Sequence, residues 1–136
     1  MLRRVCELNL AVSKDGREAL AEAKKYTAHH MVSLQALGYT PEEFTRLGID
    51  YEQVDRLREG LHSGMTIEEA ARELVTDAMA KACFVAGSPS DCVEPVLELA
   101  SQAQRLGFHQ ISFAKLGPDY AEAIRFLSAE VLPKLR

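Results

Sequence analysis

With 136 residues the chain suits one domain, 1–136, and leaves little room for two. At 47% hydrophobic and 26% charged it is too apolar for a disordered segment, and a globule of this size buries roughly two-thirds of its unfolded surface. A net charge of −4, from 16 Lys and Arg against 20 Asp and Glu, excludes a general nucleic-acid binder, because Arg3-Arg4 and Lys24-Lys25 are the only adjacent basic pairs.

No apolar run approaches the roughly 18 residues of a membrane span, and the N-terminus lacks the apolar core of a secretory signal. The expectation is a soluble, cytoplasmic protein with neither a membrane nor a nucleic-acid partner. Cys6, Cys83 and Cys92 fit that compartment: odd in number and without CxxC spacing, they form no disulfide framework. Cys6 and Cys83 sit in apolar, strand-like settings. Cys92 falls in the first turn of a predicted helix, where the dipole lowers a thiol pKa. All three read as structural.

Residues 4–12 alternate, with Cys6, Leu8, Leu10 and Val12 on one side and Glu7 and Asn9 on the other, which predicts a strand with one apolar face. Ser13-Lys14-Asp15-Gly16 breaks it. A helix follows from Arg17, its apolar stripe running through Leu20, Ala23, Thr27, His30 or Met31, Leu34 and Leu37 to a stop at Gly38. Thr40-Pro41-Glu42-Glu43 and Thr66-Ile67-Glu68-Glu69 are capping boxes, and residues 50–61 add a short helix between them. The second box opens one stripe from Ile67 through Ala70, Ala71, Leu74, Val75 and Ala78 to Met79.

Cys83-Phe84-Val85 reads as the start of a strand ending at Gly87, directly before the looser cap Ser88-Pro89-Ser90-Asp91. That helix closes at Gly107, with Pro95 inside it costing a hydrogen bond or a bend. His109–Ala114 is the third strand, and Gly117-Pro118-Asp119 opens a last helix through Ala123, Ile124, Leu127 and Val131. Strands separated by helices pair in parallel, so the chain is α/β. A free-standing sheet of about three parallel strands has two open edges, so more chain or a partner is expected.

The order Ala86-Gly87-Ser88-Pro89, Arg105-Leu106-Gly107, Ile111-Ser112-Phe113, Leu116-Gly117-Pro118-Asp119 and Glu130-Val131-Leu132-Pro133 resembles the C-terminal segment of the bacterial luciferase-like monooxygenase family. It is most similar to the branch of coenzyme F420-dependent methylenetetrahydromethanopterin reductases. The opening strand with Ser13-Lys14-Asp15-Gly16-Arg17-Glu18-Ala19 fits the same pattern. The resemblance implies a partial (β/α)8 TIM barrel, since complete barrels need about 200–250 residues or more.

It further implies an oxidoreductase that moves a hydride, or monooxygenates, between F420 or FMN and a small-molecule substrate. The cofactor-binding candidates are Gly87, Ser88 and Pro89 at the strand–helix turn, Gly117 in the equivalent place, and Asn9 on the polar strand face. No catalytic residue carries over, and no Gly-rich phosphate segment occurs. The chain alone is expected to lack activity and to form a homo-oligomer. The alternative is a non-enzymatic, self-associating or partner-binding α/β module. His29, His30, His62 and His109 show no metal-ligand spacing, and His30 on the apolar stripe reads as a core histidine.

Overall fold

A computed structural model describes residues 2–135. Among them are a parallel sheet of three strands, β1 (Val5–Val12), β2 (Val85–Gly87) and β3 (Gln110–Leu116), and seven α-helices. The helices are α1 (Gly16–Ala36), α2 (Pro41–Arg46), α3 (Tyr51–His62), α4 (Ile67–Glu73), α5 (Asp77–Cys83), α6 (Pro89–Arg105) and α7 (Tyr120–Phe126). The described residues divide into two compact units, 20–83 and the pair of stretches 2–19 and 84–135.

Residues 20–83 hold helices and the turns that connect them, with no strand. Side-chain oxygens start each short helix: Thr40 and Thr66 form reciprocal capping boxes with Glu43 and Glu69, and Asp50 accepts from the N–H of Glu52. Each such cap contributes about 1 kcal/mol. The core holds Met31, Phe44, Val54, Leu57, Ala70 and Met79, all fully buried. The Phe44 ring lies between Tyr39 and Tyr51 at 6.0 and 5.6 Å, tilted in both cases, the geometry that aromatic quadrupoles favour.

The stripe after Thr66 is not one helix. It stops at Leu74 and restarts at Asp77, with Thr76 Oγ1 accepting from the N–H of Met79. The β-branched pair Val75-Thr76 weakens the helix, and the Thr hydroxyl offers the backbone another acceptor. Cys83 closes α5 instead of opening a strand. His62 is the last residue of α3, and His30 is exposed, not a core histidine. Leu37 is exposed as well.

In the other unit β1 is the central strand, in the order β2-β1-β3. It pairs with β3 from Val5↔Gln110 to Ala11↔Leu116, and with β2 only through Leu10↔Val85 to Val12↔Gly87. Leu10 and Val12 enter a core with Cys92 and Val96 of α6, Ala123 and Phe126 of α7, and Leu127 and Val131 beyond it. Ala11, on the opposite face, is buried too. The expected single apolar face therefore holds only for the first half of β1, since a central parallel strand is covered on both sides where it is paired on both sides.

Pro95 lies inside a continuous α6, where it has no N–H to return to the Asp91 carbonyl. After α7 the chain widens into a π-turn, Leu127–Val131, and closes with a 3-10 turn, Leu132–Lys134.

Candidate functional site

The C-terminal ends of all three strands meet around Val12. Gly87 lies opposite Val12 in the register, and its carbonyl accepts from the N–H of Ser13 at 3.2 Å. Gly117 packs on the other side, so close that a Cβ there would stand 2.8 Å from the Val12 nitrogen. Its φ of +96° belongs to the left-handed region, which only glycine enters at no steric cost. Gly16 completes the set: a Cβ on it would stand 3.0 Å from the Ser88 nitrogen, so the starts of α1 and α6 approach each other backbone to backbone. Gly87, Ser88, Pro89 and Gly117 are thus gathered at one end of the sheet. Asn9 stands apart, opposite Ala114 and about 10 Å down the strand from Val12. It is half-buried, with its Oδ1 buried.

Three helices begin at this end, and each start carries its own carboxylate. Asp15 accepts from the N–H of Arg17 at 2.9 Å in α1. Asp119 accepts from the N–H of Glu122 at 3.0 Å in α7, while Glu122 reaches back to accept from the N–H of Lys14. At α6 the Asp91 carboxylate takes the Ser88 hydroxyl at 2.6 Å and the Ser88 N–H at 3.1 Å. Those two donors hold the Asp91 carboxyl below the usual range, hydroxyl first. The positive end of α6 is therefore already matched by an anion, and a phosphate there would face Asp91.

The thiol beside it behaves opposite to expectation. Cys92 is fully buried, and burial, reinforced by the Asp91 charge, pushes it up to about 11. Desolvation outweighs the helix dipole. Cys83 is raised to about 11 by burial alone. Among the described residues no three His, Cys, Asp or Glu side chains gather where a metal ion would sit.

Three residues at this end, Gly16, Lys115 and Leu116, had no signal in the residue pattern. Gly16 is the first residue of α1, and only its approach to Ser88 shows why it is glycine. Lys115 and Leu116 have φ of 71° and 66°, a left-handed pair directly before Gly117. That turn breaks the strand alternation and sends Leu116 toward the core beneath α6 and α7, although its register partner Ala11 belongs to the other face.

No protein-family model matches the chain. It is 27% identical over 135 residues to the 5,10-methylenetetrahydromethanopterin reductase of Archaeoglobus fulgidus, a match that takes in 97% of this chain and 38% of that protein. The solved structure of the coenzyme F420 dependent tetrahydromethanopterin reductase of Methanopyrus kandleri superposes with a TM-score of 0.75 at 26% identity. The chain is homologous to these reductases. Its match takes in 97% of this chain and 35% of the Methanopyrus enzyme, so it spans little more than a third of either relative. The Methanopyrus enzyme is a TIM barrel, and the three parallel strands with covering helices correspond to part of one. Among the described residues no helix is long and apolar enough to cross a membrane.

Proposed function

We propose that this chain forms the C-terminal portion of an F420-dependent oxidoreductase and supplies one wall of its cofactor site. The observation that carries the reading is the convergence of Gly87 and Gly117 on the last residue of β1, in a chain homologous to F420-dependent reductases. In barrels and open α/β sheets alike, ligands lie at this end of the strands. Bound there, F420 supplies the hydride chemistry; FMN is the alternative cofactor.

The residues present fit one part of such a cofactor better than another. Gly87 and Gly117 are themselves buried and, as glycines, add no side chain at the rim to fend off a flat ring, and Asn9 adds an amide farther down the sheet face. Asp15, Asp91 and Asp119 occupy the helix starts, so this wall disfavours the anionic tail. Gly87, Ser88, Pro89, Gly117 and Asn9 thus hold the uncharged part, with Ser88 acting through its cap on Asp91. Groups outside this chain bind the phosphate, and the small-molecule substrate lies against the same ring. The free thiols Cys6, Cys83 and Cys92 suit a reducing, cytoplasmic compartment.

The test is a chimera in which this chain replaces its counterpart in the Archaeoglobus reductase. F420 fluorescence should report micromolar binding by the folded chimera and none by this chain alone. A folded chimera that binds no F420 sinks the proposal. A second reading, a self-associating module, draws on the outer edge of β3, along which no described strand runs, and on exposed Leu2, Leu106 and Leu132. A monomeric mass in solution sinks that one.

A further inference from the structure

A groove of about 610 Å³ lies at the opposite end of β3 from Gly117. It runs between the second half of α6, the start of β3 and the closing 3-10 turn. Leu97, Phe108, Ile111 and Phe113 form its apolar floor, and all four are only half-buried. Leu132 and Leu135 stand exposed at its rim. The volume is that of a small-molecule site, and the lining is polar and apolar in about equal measure.

The polar groups are one-sided. They are Ser101 and Gln104 of α6, His109, Gln110 and Lys134, and no Asp or Glu lines the groove in a chain whose net charge is −4. Among the described residues Lys134 has no ion-pair partner. His109 is oriented by the backbone: its Nδ1 accepts from the N–H of Arg4 at 3.3 Å, and its own N–H donates to the Arg4 carbonyl at 2.9 Å. With Nδ1 an acceptor, the ring proton sits on Nε2, which is then a donor. The groove therefore sets apolar side chains beside the Lys134 ammonium and the His109 ring, and among the described residues no Asp or Glu lines it to repel an anion.

We propose that this groove binds a single-chain amphiphile with an anionic head, its tail along Leu97, Ile111 and Phe113 and its head against Lys134 and His109. The site is separate from the cofactor wall: the ends of β3 are about 20 Å apart. It does not depend on the F420 reading.

Decanoate is the probe, titrated into the full chain by calorimetry, with decanol as the uncharged control. Decanoate should bind saturably, one per chain, and decanol at least tenfold more weakly. Lys134→Glu should weaken decanoate by tenfold or more, and Ser101→Trp, which fills the groove from an exposed helix position, should abolish binding while the helical circular dichroism stays unchanged. Should Ser101→Trp fail to fold, Lys134→Glu, at an exposed position in the final turn, carries the test. Unsaturable uptake, equal affinity for decanol, or indifference to both substitutions overturns the proposal. So does a dimer that takes up no decanoate, which would show the groove covered by a second copy.

Discussion

The two compact units are built from different kinds of information. Residues 20–83 form one unbroken stretch in which every helix start is marked locally, by Thr40, Asp50, Thr66 or Thr76, and the core follows helical spacing. The sheet unit joins two stretches, 2–19 and 84–135, and its defining contacts are distant in sequence: Arg4 bonds His109 across 105 residues. Local contacts form cheaply, whereas strand pairing across a long loop must first overcome the entropy of closure. The gathering of Gly16, Gly87 and Gly117 at the candidate site rests on the second kind of contact.

Core truncations break the comparison most sharply. Phe44→Ala should cost about 3–5 kcal/mol and Leu10→Ala about 2–5 kcal/mol in denaturant unfolding. Hydrogen exchange should assign the losses, with amides of 20–83 opening in the first variant and amides of β1, β3 and α6 in the second. Equal loss in both regions for both variants would show one cooperative body.

The rim of the sheet comes next. Gly117→Ala puts a Cβ against the Val12 backbone at positive φ and should cost more than about 1 kcal/mol. Lys115→Gly relieves a left-handed lysine and should raise stability by about 0.5–1 kcal/mol, the added freedom of glycine offsetting part of the gain. Thermal midpoints of the pair should move in opposite directions. In the helical unit, Thr66→Ala removes a reciprocal cap and should cost about 1 kcal/mol by urea denaturation.

The smallest effects are those of pH. Hydrogen bonds and charge from Lys24 hold Asp77 below its ordinary 3.8, as Ser88 does Asp91. Groups lowered in the folded state stabilise it above the unfolded value and lose that contribution as pH falls through the folded one. Urea midpoints should therefore hold above about pH 4 and fall below it, less steeply in Asp77→Asn. Cys83 and Cys92, one in each unit, are raised from 9.0 to about 11. Their contribution is present below pH 9 and is lost as pH climbs toward 11, and Cys92→Ala should flatten that limb.

The helical unit was largely legible because caps and apolar spacing are short-range properties. Thr40 and Thr66 there, and Ser88 in the sheet unit, are where a side-chain oxygen meets an otherwise unpaired N–H three residues on. The errors came where two local tendencies compete. Val75-Thr76 interrupts an unbroken apolar stripe, and Cys83 ends a helix in an apolar run that also suits a strand. Leu37 and His30 fit the stripe of α1 yet are exposed, because periodicity names a face without saying how far along the helix a neighbour covers it.

For the candidate site, Gly87, Ser88, Pro89 and Gly117 could be singled out from turn chemistry after a strand, but not the reason they matter together. The alternation of residues 5–12, the capping boxes and the strand–turn–helix order of 85–91 are decided within a few residues by backbone sterics and hydrogen bonding, so the sequence by itself determined an α/β chain and its helix starts. Tertiary structure alone decided that β1 is central, that Gly117 lies on Val12 and Gly16 on Ser88, and that Asp91 fills the start of α6 against an anion. Parallel pairing has no local turn to set its register, and residues about a hundred positions apart meet only when the whole core beneath them packs.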